Sequence, residues 1–172
     1  MGIGVTTEGQ QDDLRWLALC AQKGRESPDP RTKIGCVIVG ADKSILSEAC
    51  NSYPKGVVDT IQDRAEPPFK YLWIEHAERN AIYLAARHGI STEGCRMFIE
   101  LSPCVDCARA IIQAGLVEVV INHDRAAEYK GERYSGEQSM ALEMLAEAGI
   151  AVRFVSPLSI ASQMEDASVE ER

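Results

Sequence analysis

A histidine with a glutamate two residues on, His76-Ala77-Glu78, and a cysteine pair behind a proline, Pro103-Cys104-Val105-Asp106-Cys107, are the residues of this chain best suited to chemistry. One imidazole and two thiolates can hold a zinc ion through three protein ligands. Structural zinc is normally closed by four protein ligands, whereas catalytic zinc keeps one position for water or substrate. Three evident ligands with a carboxylate beside them therefore point to hydrolysis. Water on such an ion has a pKa of about 7, so hydroxide is at hand at neutral pH. Glu78 is then placed to take a proton from that water and hand it on to a substrate. Taken alone, each motif also has a plain reading: CxxC serves structural zinc knuckles and redox pairs, and HxE arises by chance. A fourth ligand from His88, His123 or Cys95 would close the site. The default is that His88 caps a helix end and His123 lies in a loop.

These side chains need particular elements to bring them together. Cys104 and Cys107 are three apart, so a helix opened by Ser102-Pro103 projects both sulfurs from one face. The positive end of that helix favours thiolates. Residues two apart on a helix diverge by roughly 200°. His76 and Glu78 therefore share a pocket only if their helix begins at or near His76. Ala77, Ala81, Leu84 and Ala85 follow helical spacing, and Gly89 supplies a stop.

Elsewhere, Leu14, Leu17, Ala18 and Ala21 mark a first helix ending near Gly24, after a polar start of about a dozen residues. Strands are expected at 34–39, 45–50, 96–101, 117–121 and 151–155. Met140, Met144, Leu145 and Ala148 mark a late helix. Residues 51–70 hold three prolines and no clear period, and a connection of that length tends to be functional. The order α-β-β-α-β-α-β-α-β implies one mixed sheet flanked by helices. The domain is expected over residues 12–156, with polar extensions at 1–11 and 157–172.

The 172 residues suit one domain, and 45% hydrophobic with 26% charged residues is ordinary for a globular chain. No apolar run approaches the roughly 20 residues that cross a bilayer, and the first residues lack the basic and apolar segments of a signal peptide. Six cysteines without an export signal point to a reducing cytoplasm: Cys104 and Cys107 as ligands, and Cys20, Cys36, Cys50 and Cys95 as small apolar residues. The formal net charge of −8 and the lack of a basic block favour a small substrate over a polynucleotide.

H-x-E…P-C-x-x-C is the signature of zinc nucleobase deaminases, and residues 75–120 resemble the cytidine and deoxycytidylate deaminase superfamily. His76-Ala77-Glu78-Arg79-Asn80-Ala81-Ile82 resembles its HAE-x-NAI helix start. Pro103 to Ala108, with Ile111-Ile112-Gln113-Ala114-Gly115, is similar to its second metal helix. Asp29-Pro30 through Val39 resembles its first hairpin, Asn51-Ser52-Tyr53-Pro54 its NGxP segment, and Glu147-Ala148-Gly149-Ile150 a late helix end. Among the subgroups, the likeness is closest to the deoxycytidylate (dCMP) deaminases.

The resemblance implies an α/β fold: a five-stranded mixed sheet between helices in three layers. It also implies zinc on His76, Cys104 and Cys107, with Glu78 as the proton-transferring catalyst. Asn51 would hydrogen-bond the sugar or ring, and the Ala77 N–H the pyrimidine carbonyl. The expected substrate is a small cytosine nucleotide, dCMP first; another aminated heterocycle or a non-catalytic structural zinc domain are the alternatives. Homo-oligomers are expected. Ser52 replaces the usual glycine and no Asp pair follows Gly56, so triphosphate regulation is not expected. Arg79 stands where a small or apolar residue is usual. It reads as a substrate contact to a 5′-phosphate or an acidic substituent, or, the more ordinary case, as a solvated helix position or an ion pair with Glu75 or Glu78; Lys55, Arg64 and Lys70 are alternative phosphate contacts.

Overall fold

A computed structural model describes residues 8–129 and 135–160. Five strands, β1 (Gly35–Val39), β2 (Ile45–Cys50), β3 (Arg96–Ile99), β4 (Glu118–Asn122) and β5 (Ala151–Val155), form one sheet in the order β2-β1-β3-β4-β5. β1 runs antiparallel to both β2 and β3, whereas β3, β4 and β5 are parallel. The helices are α1 (Glu8–Gly24), α2 (Lys70–Trp73), α3 (Ala77–Arg87), α4 (Val105–Gln113), α5 (His123–Glu128) and α6 (Ser135–Glu147). Among the described residues, no helix is long and apolar enough to cross a membrane.

The three central strands are buried on both faces, and their alternation divides the core in two. Val37, Val39, Phe98 and Val120 point to one side, where Trp16, Leu17 and Cys20 of α1 cover them. Cys36, Ile38, Met97, Ile99, Val119 and Ile121 point to the other, against Ala77 and Ala81 of α3, Ala108 and Ile111 of α4, and Ala141 and Leu145 of α6. Each large apolar side chain buried there contributes about 1.5–3 kcal/mol. The result is the expected three-layer α/β/α arrangement.

Several local expectations need correction. The first helix starts at Glu8 within the segment expected to be irregular, because Asp12 and Asp13 find cationic partners, Lys43 and Arg153. A helical turn at residues 157–160 follows β5, and Ile160 is buried beside α1 and the sheet; residues 161–172 lie outside the described residues. The helix expected from Ser102-Pro103 begins at Val105, with Cys104 as its N-cap. His123 opens α5 instead of lying in a loop, since Asn122 caps that helix through its side chain. On α6 the buried stripe is Ala141 and Leu145, and Met140 is exposed. The connection 51–70 contains a 3-10 turn (Gln62–Ala65), and α2 begins at its last residue, Lys70. His88 is the C-cap of α3, as expected.

Candidate metal centre and substrate cleft

Two helix N-termini converge on the site. His76 is the N-cap of α3, with extended backbone (φ −72°, ψ 152°), and Cys104 is the N-cap of α4 (φ −78°, ψ 172°). The helix therefore begins at His76, as the sharing of one pocket by His76 and Glu78 demanded. Cys107 sits in the first turn of α4, three residues beyond the cap, and is fully buried. α4 itself follows the carboxyl end of β3, where open α/β sheets place their ligands. Gly115 ends α4 in left-handed backbone (φ 72°), fixing the return into β4.

His76 Nδ1 lies 3.5 Å from Cys104 Sγ and 3.5 Å from Cys107 Sγ. All three donor atoms fall within 4.8 Å of one another, and no fourth His, Cys, Asp or Glu among the described residues joins them. A tetrahedral zinc bonded to N at about 2.0–2.1 Å and S at about 2.3 Å has N···S edges of about 3.5 Å. The donor set fits zinc in type and in spacing. His88, His123 and Cys95 do not join it.

The electrostatics suit a cation. The Cys104 thiol is pushed down to about 3, first by its hydrogen bond with Cys107 and then, against the burial penalty, by His76. Its partner Cys107 is pushed far up, first by its hydrogen bond with Cys104 and then by burial. His76 is raised by pairing with Cys104. Burial raises the Glu78 carboxyl, which also hydrogen-bonds the Cys107 thiol. A carboxyl raised in this way holds a proton more readily than an ordinary carboxylate, which suits a group that must take up and release protons.

His76, Glu78 and Cys104 line a cleft of about 460 Å³, together with Asn51, Ala77 and Leu101. Ala77 is the first residue of α3, and the helix offers its N–H no internal partner. Asn51 is buried and bonds the backbone at both ends of its amide, donating to the Thr32 carbonyl and accepting from the Ile34 N–H. Arg79 is placed differently from its reading as a phosphate contact. Its guanidinium pairs with Glu75 and approaches Asp106 at 3.5 Å, and it is not among the residues lining the cleft. One helical turn separates Glu75 from Arg79, so the pair forms locally. Of the alternative cations, only Lys70 lines the cleft, joined there by Arg31.

Two contributors escaped the sequence reading. Asp29 is buried in the cleft wall, and the Asn80 side chain ties α3 to the Cys50 carbonyl and the Ser52 hydroxyl. An Asp-Pro turn and the Asn of HAE-x-NAI were visible, but their partners are distant in sequence.

The family model of the cytidine and deoxycytidylate deaminase zinc-binding region matches residues 10–123. Human deoxycytidylate deaminase is 30% identical over 162 residues, covering 89% of this chain and 86% of the human protein. An uncharacterised deaminase of Aliivibrio fischeri is 35% identical over 146 residues, covering 85% of this chain and 94% of that one. Among solved structures, dCMP deaminase of the cyanophage S-TIM5, in complex with dCMP and dUMP, matches with a TM-score of 0.64 at 27% identity. That match covers 88% of this chain and 99% of the phage protein.

Proposed function

Because the chain belongs to the cytidine and deoxycytidylate deaminase family and is a zinc-dependent hydrolytic deaminase, we propose that its substrate is dCMP, converted to dUMP with release of ammonia. The observation that carries this reading is the His76, Cys104 and Cys107 cluster with buried Glu78 in a cleft of about 460 Å³. His76, Cys104 and Cys107 would hold the zinc, which when bound would supply Lewis-acid activation of water. Glu78 takes a proton from the attacking water and delivers it to the ring nitrogen. It then passes the second proton to the departing amine, so water adds at the amine-bearing carbon and ammonia leaves. The Ala77 N–H donates to the pyrimidine carbonyl, and Asn51 orients the sugar or ring.

The working unit is taken as residues 12–156, with terminal extensions on either side. Six free cysteines support a reducing cytoplasm. The exposed apolar side chains of Tyr71 and Leu72 on α2, with Phe69 before it, support a homo-oligomer.

A second reading has a specific observation in its favour. Both cations of the cleft already hold carboxylates, Lys70 with Asp29 at 2.7 Å and Arg31 with Glu66 at 2.5 Å. A 5′-phosphate must compete for them, whereas a nucleoside or free aminated base need not. Ammonia release from dCMP, deoxycytidine, cytosine and an aminopterin ring separates the two. The dCMP reading expects kcat/KM at least about 100-fold higher for dCMP than for deoxycytidine. Equal use of both gives the second reading, and no turnover of any ring removes both.

A further inference from the structure

In the wall of the same cleft, a buried ion pair heads a chain of hydrogen bonds that ends at Asn51. Lys70 Nζ donates to Asp29 Oδ2 at 2.7 Å, with side-chain exposures of 9% and 3%. Asp29 Oδ1 accepts from the backbone N–H of Arg31 at 2.9 Å and of Thr32 at 3.1 Å. The Thr32 carbonyl accepts from Asn51 Nδ2 at 2.8 Å, and Asn51 Oδ1 accepts from the Ile34 N–H at 2.8 Å. One end of the amide thus faces a donor and the other an acceptor, so its orientation is set. One Nδ2 hydrogen and one Oδ1 lone pair remain for a molecule in the cleft.

A buried ion pair is a poor means of stabilisation, since well-packed apolar residues of similar size often serve as well or better. This pair lies in the cleft wall and joins two segments far apart in sequence, with the Arg31–Glu66 pair spanning the same two segments on the outside. The geometry points to Asp29 and Lys70 as positioning residues for the substrate. They fasten residues 66–74 to residues 29–34 and, through the Thr32 carbonyl, hold the Asn51 amide in its working orientation. This rests on the substrate role proposed for Asn51.

Kinetics of the zinc-loaded wild type, Asp29→Asn, Lys70→Gln, Asn51→Ala and the Asp29→Asn/Asn51→Ala double variant test it. Asp29→Asn keeps an acceptor for the two N–H groups but turns an amide donor toward Lys70. It is expected to raise KM about 10-fold with kcat within about 3-fold. Lys70→Gln, which cuts the link from its other end, is expected to do the same, and Asp29→Glu to return KM to within about 3-fold of wild type. On the Asn51→Ala background the Asp29 change should alter KM less than about 2-fold, because the group it acts through is gone. Equal factors on both backgrounds, or an unchanged KM in Asp29→Asn or Lys70→Gln, overturn the positioning role. If Asp29→Asn does not fold, Lys70→Gln with and without Asn51→Ala carries the same comparison. Amide hydrogen exchange across residues 29–34 needs no turnover. Lys70→Gln should exchange about 10-fold faster there, and unchanged exchange overturns the link. If wild type acts on no ring compound, the proposed function falls while the exchange experiment still decides the link.

Discussion

At the residue scale the chemistry depends on how proton affinities are divided among four neighbouring groups. Cys104 is held as a thiolate, His76 is raised beside it, Cys107 stays protonated without a cation, and buried Glu78 is shifted upward. In metal-free protein the Cys104 thiolate exists at any pH well above about 3. Its alkylation by iodoacetamide should therefore be nearly independent of pH from 5 to 8, where an ordinary thiol speeds up about tenfold per unit. Zinc should protect it; a steep pH dependence would show that no thiolate is held. Glu78→Gln should retain stoichiometric zinc and lose about 10²–10⁴-fold in kcat. Metal analysis beside steady-state rates checks both halves, and a zinc-replete variant with near-normal turnover would remove Glu78 from the mechanism.

At the element scale, the close approach of α1 to β1 and the burial of Glu100 beside it set the frame for β3 and the turn into α4. A Cβ on Gly35 would fall 1.9 Å from the Cys20 carbonyl oxygen and 2.7 Å from Gly24 N, both backbone atoms that cannot swing aside. Gly35→Ala should therefore destabilise by about 3 kcal/mol in urea unfolding, the upper range for overpacking. Glu100, directly after β3, accepts the Gly35 N–H at 2.8 Å, and its carboxyl is raised chiefly by burial. The folded state thus holds this proton more tightly than the unfolded chain. The group's contribution is favourable below the unfolded pKa and is lost as pH rises through the folded one. Glu100→Gln keeps an acceptor for Gly35 without ionising. Its stability relative to wild type should rise from about pH 4 upward and level off once the pH has passed the raised folded-state pKa. A constant difference across that range would place the shift elsewhere.

At the scale of the whole molecule, the donor set that fits zinc sits at the ends of helices that the sheet already anchors. α3 and α4 bury Ala81, Ala85, Ala108 and Ile111 independently of the metal. Chelation should therefore abolish activity and lower Tm while leaving a cooperative transition and an unchanged far-ultraviolet spectrum. Excess zinc at about 1,000 times its Kd should restore about 4 kcal/mol. Collapse of the fold on chelation would mark the zinc as structural.

The cluster of His76, Cys104 and Cys107 was legible in the sequence because these residues are tied to local rules. Helix starts, a three-residue spacing and a stop glycine can be read from neighbours along the chain. The succession of helices and strands along the chain followed from apolar runs and helical spacing for the same reason. Only the tertiary structure shows where the Arg79 side chain lies, paired with Glu75 and outside the cleft lining, because that depends on which way α3 faces the cleft. It also decided the partners of Asp29, whose bonds run to Lys70 41 positions away. Buried polar groups must find partners wherever the fold supplies them, and for Asp29 that partner is set by packing, not by spacing along the chain.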